Sequence, residues 1–141
     1  MCYDLIQKHE GCRLQAYLCP AGVWTIGWGT TRYPDGTPVK EGDIITQDYA
    51  DALLTDYMMK EVYPLFDKIP FDLTLDQKRA IASLVYNWNT AGFLNSKLYR
   101  AICKKDWANV YHEWDYGFKN NLNGIFKRRA EEVHCFMKDI K

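Results

Sequence analysis

Glu10 and the segment Val23-Trp24-Thr25-Ile26-Gly27-Trp28-Gly29 hold the groups best suited to chemistry. Glu10 falls at the end of a short predicted helix, roughly residues 3–9, which Gly11 closes as a C-terminal cap. A helix C-terminus carries partial negative charge and disfavours an ionised carboxylate, and a general acid needs a proton held near neutrality. A lone glutamate at a helix end is more often just a solvated charge, so its neighbours decide. Side chains alternate across a strand, so Trp24, Ile26 and Trp28 share one face and Thr25, Gly27 and Gly29 the other. The first face is expected to pack on the core. The second offers one hydroxyl and two missing side chains, which marks either a ligand close to the backbone or a local bend.

The five cysteines, at positions 2, 12, 19, 103 and 135, are odd in number and form no CxxC or Cys/His cluster. They read as reduced thiols, and no metal site is expected. Lys+Arg and Asp+Glu both number 18, so the basic excess of a nucleic-acid binder is missing, and the one basic run is Lys127-Arg128-Arg129. Any attraction to an anionic polymer must be local. No stretch approaches about 18 apolar residues, and no charged-then-apolar leader precedes the fold, so neither membrane insertion nor self-export is expected. Aromatic residues reach 15%, with 5 Trp and 10 Tyr, enough to serve both core packing and a groove lined with rings that hold sugars.

The elements that must position these groups follow from periodicity. Residues 13–39 alternate and are punctuated by Cys19-Pro20-Ala21-Gly22 and Tyr33-Pro34-Asp35-Gly36, which predicts a small antiparallel sheet. From Thr46 on, the pattern is helical. Ala50, Leu53, Leu54, Tyr57 and Met58 form one face, which Pro64 is expected to stop. Thr74 and Gln77 make a capping box for a helix with the stripe Ile81, Leu84, Val85 and Trp88. Ser96 and Asp106 are candidate N-caps of two shorter helices, bearing Leu98, Tyr99 and Ile102, then Trp107, Val110, Tyr111 and Trp114. After the polar stretch 119–124, a last helix carries Phe126, Ala130, Val133, Met137 and Ile140. The expected fold is α+β over one domain, 1–141. A helix and sheet lobe covers about 1–46, a linking helix about 47–63 and a helical lobe about 64–141. A cleft between such lobes is a usual place for a ligand.

Order and spacing add specificity. Cys19 lies nine positions after Glu10, and Thr25 six after Cys19, followed by Ile-Gly-Trp-Gly. With Leu5–Gly11 and Val23–Gly27, this resembles the signature of the phage-type lysozymes, the endolysins of glycoside hydrolase family 24, in a Glu-x8-Cys-x5-Thr form. Leu84–Asn89 and Gly92–Leu98 are similar to the family's central block, and Trp114 with Gly124–Glu131 to its closing block. The likeness spans essentially the whole chain.

The resemblance implies a lysozyme-like fold and hydrolysis of the β-1,4 bond between N-acetylmuramic acid and N-acetylglucosamine in peptidoglycan, without cofactor or metal. Glu10 would protonate the leaving oxygen and Thr25 would help hold the attacking water. Tyr86 and Ser96 fall where relatives touch the glycan, and Arg128 where an arginine pairs with the acid. Tyr86 fits packing equally well, and Arg128 a solvated helix charge. Many relatives carry Asp where this chain has Cys19, and His where it has Thr30. A thiol with pKa about 8.5 is mostly protonated at neutral pH unless its surroundings lower it. Cys19 is thus open as a base, a polar wedge for water, a covalent nucleophile or a small buried residue. The family implies inversion, with the carboxyl and the water-activating group roughly 6.5–9.5 Å apart. It also implies a monomer that waits in the host cytoplasm for a holin-type pore and then reaches the periplasm and cell wall. Two other readings fit one carboxylate: a lytic transglycosylase using Glu10 alone, and a non-catalytic wall-binding module.

Overall fold

A computed structural model describes residues 3–116, 125–138 and 140. Its elements are α1 (Asp4–Glu10), β1 (Arg13–Leu18), β2 (Trp24–Gly27), α2 (Gln47–Tyr57), a π-helical turn (Met58–Val62), α3 (Tyr63–Phe66), α4 (Leu75–Asn87), α5 (Thr90–Leu94), α6 (Lys97–Cys103), α7 (Trp107–Tyr116) and α8 (Ile125–Met137). The fold is α+β, with one two-stranded sheet among the described residues. Two compact units result. Ile6–Lys60 form one, and the described residues before Ile6 and from Glu61 on form the other.

In the sheet unit, β1 and β2 are antiparallel, pairing Arg13 with Gly27, Tyr17 with Thr25 and Leu18 with Trp24. The ladder is irregular between Arg13 and Tyr17. The connecting turn closes through the Gly22 amide donating to the Cys19 carbonyl at 2.8 Å, with Gly22 at φ +79° where L side chains are strained. Thr46 caps α2 by accepting from the Tyr49 amide at 3.1 Å, and α2 buries Ala50, Leu53 and Leu54.

The strand-face expectation needs correction here. Ile26 is fully buried, but Trp24 and Trp28 are only half-buried. At Gly27 the backbone turns to φ +63°, so strict alternation ends before Trp28, whose indole N–H donates to Asp51 Oδ1 at 2.7 Å. The space beside Gly27 is taken by α2, since a Cβ there would lie 3.3 Å from Ala50 Cβ. That glycine serves helix packing.

Pro64 also departs from expectation. Helical backbone runs through the π turn to Phe66, and Pro64 sits in the first turn of α3, where its missing N–H costs no hydrogen bond. In the helical unit, the Thr74–Gln77 capping box is present in both directions, at 3.1 and 3.0 Å. Ile81, Leu84 and Val85 are buried on α4, which packs against α8. Trp88 lies past the helix end and is exposed. Its indole covers Gly92, where a Cβ would approach the ring to 2.7 Å. Tyr111 is exposed rather than in the core, Met137 is half-buried, and Ile140 lies beyond α8. Gly124 and the Phe126 side chain lie outside the described residues.

Candidate active site

Glu10 is the last residue of α1, and the helix stops there because Gly11 adopts φ +66° while its amide still donates to the Gln7 carbonyl at 3.3 Å. Three residues later β1 begins. This short link places the acid next to the sheet rather than at the end of a long arm.

Cys19 opens the turn between the strands, its amide donating to the Val23 carbonyl at 3.0 Å. The chain then wraps its own amides around the sulfur. The Val23 N–H is the main influence lowering the thiol pKa from the ordinary cysteine value, aided by the Ala21 and Gly22 amides and the Thr25 hydroxyl. Amide donors clustered this way favour an anion, so the turn stabilises a thiolate. Thr25, buried on β2, donates to the Val23 carbonyl at 3.0 Å and lies within hydrogen-bonding reach of Cys19. The thiol and the hydroxyl are one local structure.

Sequence reasoning missed Tyr17. It stands directly across the ladder from Thr25, half-buried, with the Arg13 guanidinium 4.7 Å from its ring centroid. Its phenol is pushed above the ordinary tyrosine range by burial, then by the charges of Glu10 and Cys19, with Arg13 opposing them. Tyr17 is thus a common neighbour of the acid and the thiol. An aromatic at an alternating strand position looks like core, which is why the sequence did not single it out.

A recess lined by Tyr33, Pro34, Lys40, Ile44 and Tyr49 also lies in this unit, but contains none of these groups. Its polar atoms hold the loop itself: Tyr33 Oη donates to Asp43 at 2.8 Å, as does the Lys40 amide at 3.1 Å.

The other three candidates belong to the helical unit. Tyr86 is half-buried on α4. Ser96 caps α6, accepting from the Tyr99 amide at 3.0 Å and donating to the Phe93 carbonyl at 2.6 Å, so its proton is already committed. Arg128 is buried on α8 and donates to the Ser83 carbonyl at 3.1 Å, to Ser83 Oγ at 3.2 Å and to Glu132 at 3.3 Å. Around it lies an unforeseen cluster. Fully buried Glu132 accepts from Ser83 Oγ at 2.5 Å, Arg129 at 2.6 Å and Trp114 Nε1 at 3.2 Å, while Arg129 also reaches Asn87. The signal was available: Glu132 lies four residues after Arg128 and three after Arg129, on one helix face.

The order of elements, with an acid ending α1 just ahead of a two-stranded sheet and a run of helices after it, is that of a lysozyme-type glycoside hydrolase. The phage lysozyme family model matches residues 7–132, and the chain belongs to that family. The chain is 34% identical over 139 residues to an endolysin of Acyrthosiphon pisum secondary endosymbiont phage 1, covering 94% of this chain and 92% of the relative. The endolysin of Escherichia coli O157:H7 phage FAHEc1 superposes with TM-score 0.86 at 28% identity, over 98% of this chain and 91% of that one. The muramidase domain of SpmX from Asticaccaulis excentricus gives TM-score 0.78 at 27% identity, over 96% of this chain and 94% of that one. The chain is a peptidoglycan-degrading lysozyme, and the bacterial cell wall is where it acts. Among the described residues, no helix is long and apolar enough to cross a membrane.

Proposed function

We propose that this lysozyme hydrolyses the β-1,4 bond between N-acetylmuramic acid and N-acetylglucosamine with inversion, Glu10 acting as general acid and Cys19 with Thr25 as the water site. Glu10 gives its proton to the glycosidic oxygen as the bond to the muramic anomeric carbon breaks. A water attacks that carbon from the opposite side and passes a proton to the Cys19 thiolate. The observation that carries this reading is the acidified thiol, held by the Val23 amide beside the Thr25 hydroxyl. A depressed pKa enlarges the thiolate fraction that can accept a proton, and also lowers the sulfur's intrinsic nucleophilicity. The larger thiolate fraction serves a base and a nucleophile alike, and it is the Thr25 hydroxyl beside the sulfur that favours a held water over a glycosyl–sulfur bond.

Tyr86 would contact the glycan, and Ser96 would accept from a sugar hydroxyl through its remaining lone pair. No metal or cofactor takes part, and the enzyme works as a monomer. It waits in the host cytoplasm until a holin-type pore opens the way to the periplasm and the wall. The test is the NMR signal of the first product from purified peptidoglycan, before mutarotation. An α-configured N-acetylmuramic acid reducing end is expected. A β product overturns inversion, a new N-acetylglucosamine reducing end overturns the bond assignment, and a 1,6-anhydro ring means transglycosylation.

A further inference from the structure

We propose that the Tyr17 hydroxyl is the hydrogen-bond donor that fixes the attacking water against Cys19 and Thr25. This rests on the water site proposed above and completes it.

The argument is one of donors and acceptors. A water poised to attack donates two hydrogen bonds, uses one lone pair for the attack and offers the other to a donor. In this site a Cys19 thiolate can only accept. Thr25 has one proton, and it goes to the Val23 carbonyl at 3.0 Å or to the sulfur within its reach, so a water meets only the lone pairs of its oxygen. Two acceptors hold the water's protons but let its oxygen swing about the line that joins them. The site lacks a donor.

Tyr17 is placed to supply it. Residues paired directly across an antiparallel ladder point to the same face with Cβ atoms about 4.5–5.5 Å apart, and Tyr17 is the partner of Thr25. The Arg13 guanidinium lies over one side of its ring, 4.7 Å from the centroid, which restrains the ring. Burial and the nearby Glu10 and Cys19 charges keep the phenol protonated well into the alkaline range, so it remains a donor wherever the enzyme works. A second acceptor here would leave the water no better held. A neutral donor between two acidic groups also adds no charge to the site.

Tyr17→Phe keeps the ring, and with it the Arg13 contact, and removes only the hydroxyl. It is expected to lower kcat about tenfold, the typical worth of one hydrogen bond, with KM and Tm unchanged. Wild-type kcat in this variant overturns the proposal. An independent measurement needs no folded Tyr17 variant: the Cζ resonance of 13C-tyrosine-labelled enzyme, followed with pH. Tyr17 is expected to titrate above the ordinary tyrosine range and to move down in Cys19→Ala. A midpoint that does not respond to Cys19→Ala means the phenol does not face the sulfur, and also overturns the proposal. Glu10→Gln, assayed in parallel, tests the underlying acid assignment alone. More than about a tenth of wild-type activity there would remove Glu10 as the acid, since general acid catalysis supplies roughly 10²–10⁴-fold, while both Tyr17 readouts stay decisive for Tyr17.

Discussion

At Cys19 a thiol fills a position for which the family resemblance implies a carboxylate as the commoner choice, and the local backbone gives a physical account of how it would serve. An aspartate is ionised at neutral pH without help, whereas a thiol needs its surroundings to lower its pKa. The turn supplies that help through the Val23, Ala21 and Gly22 amides. The same amides would serve a carboxylate, so Cys19→Asp is expected to clear peptidoglycan suspensions within about threefold of wild type, while Cys19→Ala falls at least about tenfold. Full clearing by Cys19→Ala would reduce the residue to packing. Thiol reactivity gives a second check. A lowered pKa keeps the thiolate populated to lower pH, so Cys19 should alkylate with iodoacetamide at a pH midpoint below that of Cys135. Burial pushes the Cys135 thiol the other way. The reverse order, read by peptide mapping, would contradict the amide-stabilised turn. Glu10, Cys19 and Thr25 could be picked out from spacing because the proposed site is local in the chain. Tyr17 could not, because its place beside Thr25 comes from the pairing across the ladder.

At the scale of elements, what the sequence announced best was what local chemistry alone decides: the α1 stop at Gly11, the Cys19–Gly22 turn and the Thr74–Gln77 box. What it announced poorly depends on neighbours. Trp28 and Trp88 look like core by periodicity, but the backbone departs from regular geometry at Gly27, just before Trp28, and at Trp88 itself. Charged residues on α8 look solvated, yet Arg128, Arg129 and Glu132 form the polar centre of the α4–α8 contact. Such a cluster is costly to desolvate and stabilises only while every member is paired. Removing Glu132 would leave two buried guanidinium groups without their shared carboxylate. Glu132→Ala is therefore expected to destabilise the protein by about 3–5 kcal/mol, seen as a large fall in Tm by calorimetry. A loss under about 1 kcal/mol would mean the cluster is open to water in solution.

At the scale of the whole molecule, charge decides how the enzyme meets its substrate. Bacterial walls are polyanionic, and a strongly basic lysozyme would be drawn to them over long distances, with rates that fall steeply as salt rises. This chain has 18 basic and 18 acidic residues, so it has no net field of that kind. The single basic run does not restore one. Arg128 and Arg129 are buried against Glu132, which leaves Lys127 as its exposed member. Attraction must then come from contacts made after encounter, over a few ångströms, where screening matters little. The Debye length shrinks from about 30 Å at 0.01 M to about 8 Å at 0.15 M salt, which would strip a long-range contribution and spare a short-range one. The initial rate of peptidoglycan clearing is therefore expected to change less than about twofold across that range. A tenfold decline would show that the positive charges, though balanced in number, are gathered on one surface that faces the wall.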